Sequence, residues 1–257
     1  MLIGVPCFGG AVQYRTVSLL IGLTGCLSKA EIPHQIHFIA NESLITRARN
    51  HLASIAAFSH DSFGRPFSHI LFVDADVYFE PQYVFRMLDA KVPIIALPYS
   101  RKSLDLYQIA EAAKRGISPE HLASFGGHPA FNADKDFVVG DQPSPVRNAA
   151  TGAMLISVEV LKAIAATYPE RKYKSAGTYQ HLERVHDFFR VGIHDEEYYS
   201  EDFEFCRDAL GLGFQTFILP AKTEHTGSFT FVMDMHAVGA LRGALVKENV
   251  AQSAEEK

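Results

Sequence analysis

The first hundred residues alternate two kinds of segment, and that alternation constrains the fold more than any other feature. LIGVP (2–6), HQIHFIA (34–40), ILFVD (70–74) and VPIIALPYS (92–100) are short, mostly apolar runs. Between them lie stretches at helical spacing: roughly 13–28, which contains VSLLIGL; ESLITRARNHLASIAAF (42–58); and a segment around 81–90. In 42–58 the apolar residues Ala48, Leu52, Ile55 and Ala56 recur one helical turn apart, and Ser43 stands where an N-cap belongs. In HQIHFIA the alternation puts Ile36, Phe38 and Ala40 on one strand face. A chain that repeats strand, helix, strand buries such strands in a parallel sheet covered on both faces. The expected class is α/β, a Rossmann-like, mostly parallel central sheet flanked by helices.

The second half is less regular. LYQIAEAAKRG (106–116) suits a short helix, and FNADKDFVVGDQPSP (131–145) reads as a hairpin or a loop. Residues 149–168 read as a strand followed by a helix. Residues 170–198 are polar, rich in Tyr and His, and show little periodicity; they suit an acceptor-binding segment or lid, and their aromatics Tyr173, Tyr179, Phe188 and Phe189 suit either sugar stacking or core packing. SEDFEFCRDALG (200–211) is a short helix with Gly211 as its C′ residue, FQTFILP (214–220) a strand, and MDMHAVGALRGALVKEN (233–249) an amphipathic helix before a frayed tail, 250–257. No repeat or linker divides the chain, so one domain is expected: a first half, 1–100, a second half, 101–232, then the helix and tail.

Composition narrows the function. With 257 residues, 47% of them hydrophobic, the chain can bury one full core. A net charge of −5 without a basic run argues against a nucleic-acid partner. Three well-separated cysteines, Cys7, Cys26 and Cys206, argue against a disulfide framework and for a reducing compartment. No apolar run reaches membrane-spanning length, and MLIGVPCFGG lacks the charged leader of a signal peptide, so a cytoplasmic protein with no integral membrane segment is expected.

The chemistry starts at HILFVDADVYFEP (69–81), where an apolar strand runs into Asp74 and Asp76. In open α/β sheets the crevice beyond the carboxyl ends of the strands is where ligands bind. On extended backbone residues i and i+2 point the same way, so the two carboxylates would repel unless a cation stood between them. A hard divalent ion, Mn2+ or Mg2+, answers that need and bridges to substrate phosphates. The competing reading is a turn in which Asp caps a helix begun by VYFEPQ. Arg47 and Arg49 of TRARNHLA either grip a pyrophosphate or are solvated surface. Glu201 and Asp202 at a helix start either compensate its dipole or include a general base. His225 of PAKTEHTG, just after a strand, is a candidate ligand beside carboxylates, or an idle loop residue.

Taken in order, these residues resemble the GT-A nucleotide-sugar glycosyltransferases, closest to the inverting family-two type and its viral and bacterial relatives. The resemblance rests on the Pro-ended first strand, Ala48-Arg49-Asn50, the Asp74-Ala75-Asp76 strand end, Glu201-Asp202 and the downstream His225, with PYSRK (98–102) and Thr151-Gly152 between them. It covers about residues 2 to 230. It implies a metal-dependent transfer of a sugar from a UDP- or GDP-sugar to a glycan, lipid-linked or protein acceptor, with inversion. Under it, Asp76 and His225 would ligate the metal, and Asp74 would reach it through water or hold the donor ribose. Pro6 and Cys7 would line the base, and Arg47, Arg49, Asn50 and Ala75 would complete the donor site. Asp202 would be the base, with Glu201 placing the acceptor or capping the helix. Tyr99, Lys102, Thr151 and Gly152 would face the sugar and acceptor.

Other readings compete. A haloacid-dehalogenase-type phosphatase would want Thr where Tyr78 stands. A sugar nucleotidyltransferase would want a Gly-rich basic loop after the first strand, which CFGGAVQYR, with Arg15, only partly supplies. A non-catalytic carbohydrate-binding relative would need no metal together with a nucleotide.

Overall fold

The chain enters through β1 (Leu2–Cys7) and continues as α1 (Tyr14–Lys29), β2 (Gln35–Ala40), α2 (Ile45–Phe58), β3 (His69–Val73), β4 (Val77–Phe79), α3 (Gln82–Asp89) and β5 (Ile94–Ala96). Then come α4 (Leu106–Lys114), α5 (Pro119–Leu122), β6 (Phe131–Asn132), β7 (Ser144–Val146), β8 (Asn148–Ala149), β9 (Ala153–Ser157) and α6 (Val158–Thr167). The last part holds β10 (Lys172–Lys174), β11 (Arg184–His186), β12 (Gly192–His194), β13 (Glu197–Tyr199), α7 (Glu201–Gly211), β14 (Thr216–Ile218), β15 (Lys222–Thr226) and β16 (Thr230–Asp234). This is a computed structural model, and it describes residues 1–134, 137–175, 182–227, 230–241 and 243. Among the described residues no helix is long and apolar enough to cross a membrane.

The central sheet has seven strands in the order β2-β1-β3-β9-β5-β14-β7. The pairs β1–β2, β1–β3 and β5–β14 are parallel, whereas β9 is antiparallel to both β3 and β5, and β7 is antiparallel to β14. The sheet is mostly parallel, as the alternation implies, and β9 is the exception inside it. Successive side chains in the central strands point to opposite faces, and both faces are apolar. Ile70 and Phe72 of β3, Ile94 and Ala96 of β5 and Met154 and Ile156 of β9 pack with α2 and α6 residues such as Leu52, Ile55, Leu161 and Ile164. Leu71, Val73, Ile95 and Leu155 pack on the other face with Leu19 and Leu23 of α1 and Val84 and Met87 of α3. Burial on both faces is why these strands read as continuous apolar runs.

Several local expectations are corrected. Phe38, on an edge strand, is half exposed; Ile39 reaches the core on the α2 side, and Ile36 packs partly buried on the opposite side. The N-cap of α2 is Leu44, not Ser43; the Glu42 carboxylate accepts the Leu44 N–H at 3.1 Å. The left-handed residue after α7 is Gly213 (φ 87°), with Gly211 still helical. Met233 and Asp234 close β16, and helix begins only at 235, where the Asp234 carboxylate accepts the Ala237 N–H. The rest of the expected 233–249 helix beyond 243 lies outside the described residues. In 170–199 two small antiparallel strand pairs form, β10–β11 and β12–β13. Phe188 and Phe189 there are fully buried, and Phe189 stacks on Phe205 at 4.6 Å, so they are core and not sugar platforms. Tyr179 falls outside the described residues.

A second, three-stranded sheet, β16-β15-β4, stands at the carboxyl end of β3. Its pairing sets His225 opposite Val77, one residue from Asp76.

Candidate active site

The order in which strands join the sheet reverses at β1: the path runs from β1 to β2 on one side and returns to β3 on the other. Such a switch point leaves a crevice beyond the carboxyl ends of the two strands. Here it is a cleft of about 440 Å3 whose lining includes Pro6 and Cys7 from the end of β1, and Asp74, Ala75 and Asp76 from the end of β3. A groove of about 900 Å3 lined by Lys114, Arg115 and Lys222 shares none of these side chains.

Asp74-Ala75-Asp76 is a tight turn between β3 and β4, not extended backbone and not a helix cap. Val77 N–H donates to Asp74 O at 3.2 Å. Three other segments fix this backbone: Asp74 N–H donates to Gly152 O (2.9 Å), Gln13 N–H to Ala75 O (2.8 Å) and Thr226 N–H to Asp76 O (2.7 Å). The turn parts the two carboxylates, and each finds its own cation. That corrects the expectation that they face one another.

Asp74 belongs to Arg49. The Arg49 Nη2 reaches both Asp74 oxygens at 3.1 Å, and its other terminal nitrogen pairs with Glu201. Arg49 is buried; desolvation works against its charge, but Asp74 and Glu201 outweigh that and hold it protonated. Burial pushes the Glu201 carboxyl above its ordinary range, against the pull of Arg49, and Asp202 adds to the push. Asp202 accepts Ser200 Oγ–H and Phe203 N–H on Oδ1. Among the described residues its hydrogen bonds fall on Oδ1, which leaves Oδ2 for another proton donor.

Asp76 belongs to His225 and Lys102. His225 Nε2 stands 3.4 Å from Asp76 Oδ1, and the Lys102 ammonium pairs with Oδ2. Burial opposes the charge on Asp76, yet these two partners hold its carboxyl below the usual range. His225 Nδ1 lies 2.8 Å from Ser100 O. A carbonyl only accepts, so Nδ1 carries the hydrogen and Nε2 turns toward the carboxylate. Nε2 and Oδ1 face each other as two acceptors, a gap filled by a proton or by a metal cation. A carbonyl fixing the far nitrogen is the usual support of a ligating histidine. The donor set of Asp76 and His225 thus fits a divalent ion that takes its remaining ligands from phosphate oxygens and water. Asp74, held by Arg49, is not part of that set. Among the described residues no three His, Cys, Asp or Glu side chains converge as a preformed nest.

Tyr99 joins the two halves. Its ring meets His225 edge-on at 5.0 Å, and its hydroxyl accepts Gly152 N–H at 3.2 Å. Burial first, then the Asp74 carboxylate, pushes its phenol well up, so it stays neutral. Gly152 is glycine because a Cβ would stand 2.7 Å from Tyr99 Oη and 2.8 Å from Asp74 Oδ2. Gly152→Ala is expected to cost about 1–3 kcal/mol in urea unfolding, as overpacking does. Unchanged stability would show that the site yields around the added methyl.

Other expected site residues lie elsewhere. Asn50 is buried, its amide donating to Asp187 Oδ1 and accepting Phe189 N–H, each at 2.6 Å; it pins the segment leading into β12 and offers nothing to a donor. Thr151 is fully buried and Tyr99 nearly so, which leaves neither a surface for an acceptor. Arg47 is bound to Glu42 at 2.6 Å on the exposed side of α2. Phe8 was not singled out by sequence. It stands 76% exposed on the cleft rim, on a turn whose Gly9 and Gly10 hold φ of 67° and 72°. An aromatic directly before two glycines at a strand end was the available signal.

No family model matches the chain, and no curated protein does. Solved structures similar to it include these two. A197 from STIV is 13% identical over 88% of this chain and 85% of that one, with a TM-score of 0.46. The 4-diphosphocytidyl-2C-methyl-D-erythritolsynthase from Anaerococcus prevotii DSM 20548 is 10% identical over 82% and 96%, with a TM-score of 0.33. At these scores neither likeness assigns an activity.

Proposed function

We propose that the chain is a glycosyltransferase that binds a nucleoside diphosphate-sugar with a divalent cation and passes the sugar to an acceptor hydroxyl with inversion. One observation carries this reading. At the end of the switch-point cleft Asp76 Oδ1 faces a His225 Nε2 that the Ser100 carbonyl leaves as an acceptor, while an exposed aromatic stands at the cleft rim. A carboxylate oxygen and an imidazole nitrogen that face each other as acceptors suit a divalent cation, and such a cation would take a diphosphate as its further ligand. When bound at Asp76 and His225, the cation would neutralise the diphosphate as it leaves.

The chain's own residues supply the rest. Phe8 would stack on the nucleobase, and the backbone of Pro6 and Cys7 would form the floor beneath it. Arg49 holds Asp74 and Glu201 in place, which keeps the turn and the start of α7 in register. Asp202 Oδ2 would take the acceptor proton, and a single base on one side favours inversion. Glu201, tied to Arg49, positions and does not abstract.

A sugar nucleotidyltransferase would use the same crevice, and the Gly9-Gly10 turn favours it. Against it, Arg15 is spent: it pairs with Glu224 and covers the Tyr78 ring at 4.1 Å. Titration calorimetry with UDP, GDP, CDP and ADP, with and without Mn2+, tests the main reading. One nucleotide is expected to bind at least about tenfold tighter with Mn2+, and His225→Ala is expected to remove most of that gain. If no diphosphate binds in a metal-dependent way, the proposal fails.

A further inference from the structure

Lys102 is the feature of this site that the proposed reaction leaves unused. It follows β5, whereas Asp76 follows β3, yet its ammonium is paired with Asp76 Oδ2 while His225 takes Oδ1. The lysine stem lies against Gly227: a Cβ there would stand 3.0 Å from Lys102 Cδ, so a side chain at 227 would push the lysine off its course. Gly227 is two residues past His225 and next to Thr226, whose N–H holds the Asp76 carbonyl. The segment that presents the histidine therefore also makes room for the lysine. Lys102 keeps 41% of its side-chain surface and meets the acid through its ammonium, so it can swing away without unpacking the core.

We propose that Lys102 is a resident counter-cation that holds Asp76 while the donor is absent, yields the carboxylate to the divalent ion, and then turns to the diphosphate that arrives with it. The proposal rests on the cation site proposed above. The reasoning is one of competition. An ammonium on Oδ2 takes up the charge of the carboxylate and repels a divalent ion at Oδ1 beside it, so the bare protein binds the ion weakly. A diphosphate removes the penalty, because its oxygens give the displaced ammonium a new partner. Cation and nucleotide then bind cooperatively, and the site does not collect metal ions in the absence of donor. Among the described residues the cleft lining carries no basic side chain, and Lys102, already on Asp76 Oδ2, is a cation placed to reach phosphate from outside it.

The test measures Mn2+ binding to the protein alone, by the paramagnetic signal of free Mn2+ and by calorimetry, then repeats it with the nucleoside diphosphate that binds best. Lys102→Met is expected to bind Mn2+ alone at least about tenfold tighter than the unaltered protein and to lose most of the cooperativity with nucleotide. Lys102→Arg, which keeps the charge, is expected to stay within about threefold of the unaltered protein. Unchanged or weaker Mn2+ binding by Lys102→Met would overturn the proposal while leaving the cation site standing. So would a Lys102→Met protein that no longer binds nucleotide at any Mn2+ concentration, since the lysine would then be a permanent substitute for the metal. His225→Ala separates the two layers. If the unaltered protein and Lys102→Met bind Mn2+ no better than His225→Ala, with or without nucleotide, the cation site itself is wrong and the lysine proposal falls with it.

Discussion

Arg49→Met is expected to destabilise the protein by about 2–3 kcal/mol in urea unfolding, among the largest losses available to one substitution outside the apolar core. Removing one partner of a buried ion pair costs about 3–5 kcal/mol, because the remaining charge stays buried without compensation. Here two charges remain, Asp74 and Glu201, and the figure is discounted because their side chains keep 21% and 13% exposure. The loss should shrink in acid. Glu201 already titrates above its ordinary 4.5 in the folded protein. The folded state therefore holds a proton that the unfolded state releases, and stability falls as pH rises through that interval. Without Arg49 the interval widens upward, so the variant gains on the unaltered protein as pH drops. The triple substitution Arg49→Met, Asp74→Asn, Glu201→Gln should recover much of the loss, since it leaves no naked charge. A cost below about 1 kcal/mol for Arg49→Met would mean that water reaches these carboxylates and that the arginine is not what assembles them.

Asp202→Asn is expected to lower sugar transfer by about 10²–10⁴-fold, the usual worth of a general base, with nucleotide binding kept within a few-fold. Asparagine preserves the Oδ1 acceptor that Ser200 and Phe203 use, so the start of α7 should stay in place. What it removes is the basicity of the other oxygen. Glu201→Gln, by contrast, strikes a residue already tied to Arg49, and should lower stability and donor binding more than the pH dependence of transfer. Equal transfer by Asp202→Asn and the unaltered protein would remove Asp202 as the base and, with it, the case for inversion.

The sequence alone determined the layers of this protein. Continuous apolar strands at Leu2–Cys7 and His69–Val73, separated by helices with apolar residues at helical spacing, have a low-cost burial only in a doubly covered sheet, and local periodicity carries that information. It also determined where the crevice opens, because Pro6 and Asp74 mark the carboxyl ends of adjacent parallel strands. Residue spacing could not say which charge meets which. Asp74 and Asp76 are two residues apart, but a tight turn sends one to Arg49 and the other to His225 and Lys102. Those partners come from 25 and 26 residues away for Arg49 and Lys102, and from the far strand β15 for His225. Nor could periodicity foresee β9 running antiparallel through the sheet, or Phe188 and Phe189 leaving a polar stretch to fill the core. Such pairings are decided by which segments the sheet order brings together. A carboxylate removed from water takes the nearest cation in space, and nearness in space is a property of the tertiary structure alone.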